Sequence, residues 1–242
     1  MEFPIRINKY LAEKGICSRR EADKLIEEGK VSVNGAAAEL GRMIEEDDEV
    51  RIESGLKELF YVAYNKPRGI VTTGPQKGEK EIKDVLKLGS DYFPVGRLDK
   101  DSRGLILLTN DGRITDKLLN PDNYHEKEYE VAVDRKLRED DIRQLRKGIA
   151  LGGGFTTKPC KIRAIDDYSF SIILTEGKNR QIRRMCLALG YEVADLCRVR
   201  IMNIHIGGIK EGHHKILSGK PLDGLLGSLG LDKRLLPDNL QK

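Results

Sequence analysis

The sequence predicts an α+β protein, in which a small α/β domain precedes a larger domain built on a mixed, mostly antiparallel sheet with flanking helices. Short alternating strand patterns and amphipathic helical patterns interleave along the 242 residues without a regular βαβ order. Turn signals join several of the strand patterns directly, which favours hairpins. Apolar residues make up 39% of the chain and Trp is absent, so we expect an aliphatic core.

The first fifty residues contain the signals of two helices and a small β-ribbon. Ser18-Arg19-Arg20-Glu21 is a capping box, in which the Ser oxygen accepts from a helix amide and the Glu reaches back. Asn34-Gly35 is a signal for a tight hairpin turn. The expected helices are 6–14 and 18–29, and the expected strands are 31–33 and 50–52. These elements predict a small domain over residues 1–57, ending near Gly55, and a larger domain over residues 58–242.

The larger domain carries strand and helix patterns in mixed order. Strands are expected at 61–65, 104–109, 129–133, 170–175 and 199–206, and helices at 138–147 and 179–189. Asn179 is the expected cap of the second of these helices and Gly190 its stop. The tail after about residue 219 is rich in Gly, Leu and Lys with weak periodicity, and we expect it to be loosely ordered.

Composition and residue spacing limit the functional classes. The longest aliphatic run, residues 105–108, is too short to span a bilayer, and the start lacks the pattern of a signal peptide. We therefore expect a cytoplasmic protein with no membrane partner. The four cysteines contain no C-x-x-C pair, and the histidines lack ligands at metal spacing, so no metal site is expected. A monomer is the default expectation.

Charge is unevenly distributed although the net charge is only +4. Residues 5–30 hold seven Lys/Arg against five acids, whereas residues 39–53 hold seven acids against two Arg. The basic side chains crowd the two helix starts, where unpaired amides also attract anions. We expect RNA phosphate contacts from four of them, Arg6, Lys9, Arg19 and Arg20. A solvated helix face is the alternative interpretation.

The loop before the expected strand at 104–109 surrounds one carboxylate with cations. Asp99 lies between Arg97, Lys100 and Arg103 in the sequence, and such neighbours favour the ionised form of a carboxyl group. An ionised, positioned carboxylate can act as a nucleophile or stabilise positive charge on a ribose. Asp101 is a competing candidate, and a charged surface turn is the alternative.

The expected helix at 179–189 begins with a cluster of arginines. Arg180, Arg183 and Arg184 project from its first two turns, where cations oppose the helix dipole at a cost of about 0.3–1 kcal/mol each. That cost indicates a polyanionic ligand, with one arginine turned towards a carboxylate. A solvated basic face is again the alternative.

These stretches resemble the motifs of the small-subunit-type family of rRNA pseudouridine synthases. The matching segments are Gly96-Arg97-Leu98-Asp99 with Gly104-Leu105, Thr109-Asn110-Asp111-Gly112, Lys127-Glu128-Tyr129, Asn179 to Met185, and Asn65-Lys66-Pro67-Arg68-Gly69. Residues 6–52 resemble the alpha-L RNA-binding domain that these enzymes carry in front. The resemblance covers most of the chain in the same order. Within the family, residues 125–129 are most similar to the F-type synthase that acts on large-subunit rRNA.

The resemblance implies isomerisation of a uridine in rRNA to pseudouridine, without a cofactor. It implies that Asp99 is the catalytic aspartate, that Tyr129 contacts the target base, and that Arg183 pairs with the aspartate. Asp99 is expected to attack the ribose or the base, or to assist a ribose elimination. The target uridine has to be flipped out of its stack, and a loop or bulge on a structured stem lowers the cost. The expected RNA contacts in the larger domain are Lys66, Arg68, Arg97, Lys100, Arg180 and Arg184.

Two other classes compete with this interpretation. A non-catalytic RNA chaperone would use the same domains, but its carboxylate site would be degenerate, and every matching position is intact here. A basic-helix DNA binder would need a recognition-helix arrangement, which the sequence does not show.

Overall fold

A computed structural model describes residues 1–53, 56, 58–88 and 91–231 of the chain. The N-terminal part contains β1 (Ile5–Arg6), α1 (Ile7–Glu13), α2 (Arg19–Glu27), β2 (Val31–Val33), β3 (Ala36–Ala37), β4 (Met43–Ile44) and β5 (Val50–Ile52). The next elements are β6 (Tyr61–Lys66), α3 (Ile82–Val85), β7 (Phe93–Val95), β8 (Arg103–Thr109), α4 (Arg113–Leu119) and β9 (Lys127–Val133). The last are α5 (Glu139–Lys147), β10 (Lys161–Ala164), β11 (Ser169–Leu174), α6 (Gln181–Ala188), β12 (Val193–Ile201), β13 (Ile204–His205), β14 (His214–Ile216) and α7 (Gly219–Ser228).

The N-terminal part confirms the two helices and the ribbon expected from the sequence. The Oγ atom of Ser18 accepts from the Glu21 amide at 3.2 Å, which caps α2. Strand β2 pairs antiparallel with both β3 and β5. Asn34 and Gly35 have φ values of 52° and 79°, as a tight hairpin turn with two left-handed residues requires.

The larger part is built on one sheet with the strand order β10-β11-β9-β12-β8-β6-β14, with β13 beside β12 and β7 beside β8. The β8–β12 pair is parallel, and the other pairs of described strands are antiparallel. Residues 105–108 of β8 are all buried because the sheet is covered on both faces. Leu105 and Leu107 pack against α7, and Ile106 and Leu108 pack beside Ile82 of α3.

The prediction of a loosely ordered tail is wrong for residues 219–231. Helix α7 buries Leu222, Leu225 and Leu226, and Leu229 and Leu231 follow them into the same core. Leu222, Leu225, Leu226 and Leu229 lie at i, i+3, i+4 and i+7, which is a helical stripe. The intervening glycines weaken the periodicity when the sequence is read alone. Residues 232–242 lie outside the described residues.

Two other boundaries differ from the prediction. The late strand expected at 199–206 starts earlier, as β12, and ends at Ile201, because Met202 has a φ of +49° and opens the turn to β13. Helix α6 begins at Gln181 and its N-cap is Arg180, not Asn179.

The predicted domain end near Gly55 falls on residues that the structure does not describe, so the division at residue 57 stays a prediction. No helix in the described ranges is long and apolar enough to cross a bilayer.

The turn after β8 connects the two parts of the chain. Arg113 donates to both oxygens of buried Asp111 at 2.8 Å, and its Nη1 donates to the Gly15 carbonyl at 2.7 Å. A Cβ placed on Gly112 would lie 2.6 Å from the Ser18 Cβ. Because glycine at this position leaves room for Ser18, the turn lies directly against the start of α2.

Candidate active site

A cavity of about 550 Å³ opens where three parts of the larger domain meet. Its walls come from the loop before β8, from the segment between β11 and α6, and from the sheet strands β9 and β12. Asp99, Tyr129 and Arg180 all line it. The structure therefore brings together residues that lie eighty positions apart in the sequence.

Backbone contacts hold the loop that carries Asp99. The Ser102 amide donates to the Asp99 carbonyl at 3.0 Å, which closes a turn over residues 99–102. Thr72 Oγ1 donates to the Leu98 carbonyl at 2.6 Å and accepts from the Leu98 amide at 3.0 Å. The Gly69 amide donates to the Lys100 carbonyl at 2.9 Å. The segment around Gly69 and Thr72 thus fixes the backbone on both sides of Asp99.

The cation nearest to the Asp99 carboxylate is Arg180. Its Nη1 lies 3.6 Å from Asp99 Oδ2 and 3.9 Å from Asp101 Oδ2. Arg180 reaches this position because its own φ is +48°, a left-handed conformation that turns the chain just before α6. The Arg180–Asp99 contact is thus an ion pair longer than a hydrogen bond, and Asp99 itself lines the cavity where a ligand would lie.

Among the described residues Arg183 makes no direct ion pair with Asp99, so their predicted pairing in the reaction stays a prediction. Arg183 Nη2 donates to the Asp101 backbone carbonyl at 3.1 Å, and Nη1 donates to the Val193 carbonyl at 3.0 Å. Helix α6 starts one residue later than expected, and its third residue, Arg183, points to the backbone of the loop. Arg183 ties α6 to that loop and to the start of β12, while Arg180 makes the direct ion pair with Asp99.

The sheet floor of the cavity carries Tyr129, Lys127 and Arg198. Tyr129 and Arg198 are direct partners on the antiparallel strands β9 and β12, so their side chains lie on one face. The Arg198 guanidinium carbon lies 6.0 Å from the Tyr129 ring centroid. Arg198 is 4% exposed, and its Nε donates to the Leu105 carbonyl at 2.7 Å. Sequence reasoning missed Arg198, although its spacing from cavity-lining Leu196 follows the two-residue period of a strand.

Gly104 allows the close approach of β8 and β12 beneath this floor. Its φ is +107°, and a Cβ there would lie 2.4 Å from the carbonyl oxygen of Arg198 and 2.6 Å from its amide nitrogen. Only glycine tolerates both the conformation and the contact. The position thus sets where Arg198 enters the cavity.

Lys66, an expected RNA contact, lies buried behind the loop, so its contact with RNA stays a prediction. It is fully buried, and its Nζ donates to the carbonyls of Pro67 and Ile70 at 2.8 and 2.7 Å. Burial lowers the pKa of Lys66 to about 8, against the opposing charges of Asp99 and Asp101. Lys66 therefore braces the loop behind Asp99.

A hydrogen-bonded carboxylate orders the segment before α6. Buried Glu176 accepts from Gln181 Nε2 at 2.7 Å and from the Lys158 amide at 2.9 Å. Gln181 Oε1 in turn accepts from the Lys178 amide at 3.0 Å. These contacts hold residues 176–181 against the cavity, and the sequence analysis did not single out Glu176.

The remaining basic candidates are exposed to different degrees. Arg68 is exposed but shares Asp195 with Arg103, at N–O distances of 2.8 and 2.7 Å. Lys100 pairs with Glu79 at 2.9 Å, and Arg184 donates to the Leu151 carbonyl at 2.8 Å. Arg97 is exposed at the cavity. The N-terminal candidates, Arg6, Lys9, Arg19 and Arg20, are all exposed. Their RNA contacts stay predictions.

Side chains that could bind a metal ion do not cluster in the part of the chain that the structure covers. That part contains no group of three or more His, Cys, Asp or Glu side chains able to hold a metal ion. All four cysteines are free thiols, and burial raises the pKa of Cys186 to about 12.

Comparison with known proteins gives the same domain order. Residues 60–188 match the family model for RNA pseudouridylate synthase, and residues 5–50 match the S4 domain. The chain is 44% identical over 224 residues to the dual-specificity RNA pseudouridine synthase RluF of Escherichia coli (strain K12), covering 90% of this chain and 77% of that protein. It is 36% identical over 225 residues to the ribosomal large subunit pseudouridine synthase B of Bacillus subtilis (strain 168), covering 88% and 92%. A crystal structure of a pseudouridylate synthase matches with a TM-score of 0.69 at 30% identity, covering 91% of this chain and 99% of that chain.

Proposed function

The chain belongs to the RNA pseudouridylate synthase family and is an RNA pseudouridine synthase with an N-terminal S4 domain, and from this premise we propose that it converts one uridine of large-subunit rRNA through Asp99. The observation that carries the proposal is the position of Asp99. Its carboxylate lies on the wall of the cavity, 3.6 Å from Arg180, with Tyr129 on the floor of the same cavity. Two relatives named for RNA and large-subunit pseudouridine synthesis support the choice of substrate.

The target uridine enters the cavity only after it leaves its stack. Flipping costs a few kcal/mol, and a loop or bulge on a structured stem lowers that cost. The volume of about 550 Å³ lies in the range of small-molecule sites and admits one nucleotide. Tyr129 then stacks on the flipped uracil, and the Asp99 carboxylate lies beside the ribose and the base.

The reaction breaks the C1′–N1 glycosidic bond, turns the base and joins C5 to the same ribose carbon. The proton on C5 leaves and N1 gains one, so substrate and product contain the same atoms. No cofactor is needed for this balance. Asp99 acts by attack on the ribose, by attack on the base, or by assisting a ribose elimination.

Basic side chains hold the RNA around this site. Arg97 and Arg180 line the cavity with exposed side chains and suit the phosphates next to the target. Arg6, Lys9, Arg19 and Arg20 suit a flanking stem, because they are exposed around the starts of α1 and α2. Arg68, Lys100 and Arg184 complete the proposed surface. We infer that the enzyme works on this RNA as a monomer in the cytoplasm.

Chemical mapping of pseudouridine in rRNA tests the proposal. RNA from cells that lack the protein is compared with RNA from cells that express the wild-type chain or the Asp99→Asn variant. One large-subunit position should lose pseudouridine without the protein and regain it with the wild type alone. An unchanged rRNA map would overturn the substrate assignment, and restoration by Asp99→Asn would overturn the role of Asp99.

A further inference from the structure

Two cations on the cavity floor have no carboxylate partner among the described residues. Lys127 is 9% exposed, and its Nζ donates to the His125 carbonyl at 3.1 Å. Arg198 is 4% exposed, and its buried Nη2 has no hydrogen-bond partner. Buried cations are normally paired with an anion, because burying an isolated charge is unfavourable. The ion pairs of the described residues include neither side chain, so this cation pair, Lys127 and Arg198, points to a charge that arrives with the ligand.

The two cations share a surface with the cavity. Both line it, and both come from adjacent strands of the sheet, β9 and β12. Tyr129 is next to both cations. It follows Lys127 by two residues on β9, and it is the register partner of Arg198 on β12. Any base that stacks on Tyr129 therefore lies next to the cation pair.

The carboxylates that line the cavity are Asp99, paired with Arg180 on the loop side, and Glu176, which accepts from Gln181 and the Lys158 amide. The cavity thus presents the Asp99 carboxylate on its wall and two cations without a carboxylate partner on its floor. Cleavage of a glycosidic bond creates the same polarity, since the ribose gains positive charge and the base keeps the bonding electrons. Fixed charges of the right sign at such positions stabilise the charge that develops.

We propose that Lys127 and Arg198 stabilise the uracil base as an anion while its bond to the ribose is broken. This proposal rests on the proposed function. When the C1′–N1 bond breaks, its electron pair stays on the base and spreads over N1, O2 and O4, next to the two cations. The base then turns, C5 forms the new bond to C1′, the C5 proton leaves, and N1 takes up a proton. The cation pair is regenerated unchanged.

The protonation of Lys127 agrees with this role. Burial, and secondarily the charge of Arg198, lower the pKa of Lys127 to about 8. An ammonium with this pKa is still mostly protonated at neutral pH. Lys127 is therefore charged under ordinary conditions even though its surroundings disfavour the charge.

The test uses the full-length enzyme with a short RNA that carries either uridine or 5-fluorouridine at the target position. Fluorine withdraws electrons and makes the leaving base a more stable anion. Because fluorine cannot leave C5 as a cation, the analogue keeps its fluorine and forms no pseudouridine, so only the loss of the starting nucleoside is compared. Lys127→Met and Arg198→Lys are compared with the wild type in single turnovers, and the disappearance of the target nucleoside is followed by chromatography of the digested RNA. Lys136→Met, an exposed lysine paired with Asp167 outside the cavity, is the control. Wild-type conversion of uridine is checked first, so a failure of the proposed function shows separately.

We expect each cavity variant to slow conversion of uridine by about tenfold to a hundredfold and to slow conversion of 5-fluorouridine distinctly less. RNA affinity should stay within about twofold of the wild type, and Lys136→Met should match the wild type on both substrates. Equal losses on the two substrates would show a merely structural role and overturn the proposal. So would a loss confined to RNA affinity and its salt dependence, which would mean that the cations hold a phosphate. Unimpaired turnover by both variants would also overturn it.

Discussion

Arg180 Nη1 lies 3.6 Å from Asp99 Oδ2, whereas Arg183 binds the backbone carbonyls of Asp101 and Val193. The charge that faces the proposed catalytic carboxylate thus comes from the residue that caps α6. Arg183 holds the two segments together. The two arginines, three positions apart, should respond differently to substitution.

Substitution of Arg180 by Gln should lower single-turnover conversion by at least about tenfold, because it removes the cation that positions the Asp99 carboxylate. Thermal stability should change little, since the Arg180 side chain is 45% exposed. Arg183→Gln should instead lower the melting temperature, because two backbone carbonyls lose their donor. Melting curves and single-turnover rates of both variants decide the matter. An active Arg180→Gln enzyme would contradict the assigned pairing.

Gly104→Ala should destabilise the fold and inactivate the enzyme together. The added Cβ would overlap the backbone of Arg198 at 2.4 Å, and alanine is strained at a φ of +107°. We expect a loss of about 2–4 kcal/mol in the free energy of unfolding, measured by urea denaturation. Gly207→Ala is the control, because a Cβ there meets no atom within 4 Å. Equal stability of the two variants would refute the close packing of β8 on β12.

The Arg19→Ala/Arg20→Ala double variant should bind the RNA substrate more weakly at low salt. Two lost phosphate contacts should reduce the slope of log K against log salt by about one to two. Lys24→Ala is the matched control on α2, since its exposed side chain already pairs with Glu28. Titrations over a range of salt concentrations measure both quantities. A slope identical to that of the wild type would exclude these arginines from the RNA contact.

The rate of the chemical step should fall as the pH rises through about 8, because Lys127 has a pKa of about 8 and acts in its protonated form. Below that pH the ammonium persists, so the rate should level off towards neutrality. The other ionisable groups at the cavity or beside Lys127 are Arg97, Asp99, Tyr129, Glu176, Lys178, Arg180, Arg198 and His125. Burial lowers the pKa of His125 below its usual value, so it does not titrate near 8.

Lys66 also has a pKa of about 8 and needs to be separated from Lys127. Lys127→Arg retains the positive charge above pH 8, so the alkaline loss of activity should disappear in that variant. Single-turnover rates of the wild type and of Lys127→Arg are compared between pH 6.5 and 9.5. This range extends about 1.5 units on either side of the pKa. If the alkaline loss persists in Lys127→Arg, the titrating group is Lys66 or another residue.

Local sequence patterns were sufficient for much of the fold. The Ser18 cap of α2 and the Asn34-Gly35 turn are each specified within four residues, and the structure confirms both. The α7 helix was not predictable in the same way. Its leucines become a stripe only when Leu105 and Leu107 of a distant strand supply the surface that they cover.

The candidate site was predictable by residue type but not by geometry. The charged loop at Asp99 and the arginine-rich helix were visible as compositional features, and the structure brings them to one cavity. Arg180 contacts Asp99 because its own backbone is left-handed, and sequence patterns do not show such a conformation. The burial of Lys66 and Arg198 depends on strand neighbours far along the chain.

The central claim is that Asp99 performs the isomerisation inside this cavity, and the most direct measurement is a single-turnover assay of Asp99→Asn. The account predicts that this variant binds the RNA substrate as tightly as the wild type but forms pseudouridine about a thousandfold more slowly or not at all. Asp101→Asn, on the same loop, should retain turnover. Product formation by Asp99→Asn at a rate close to that of the wild type would contradict the account.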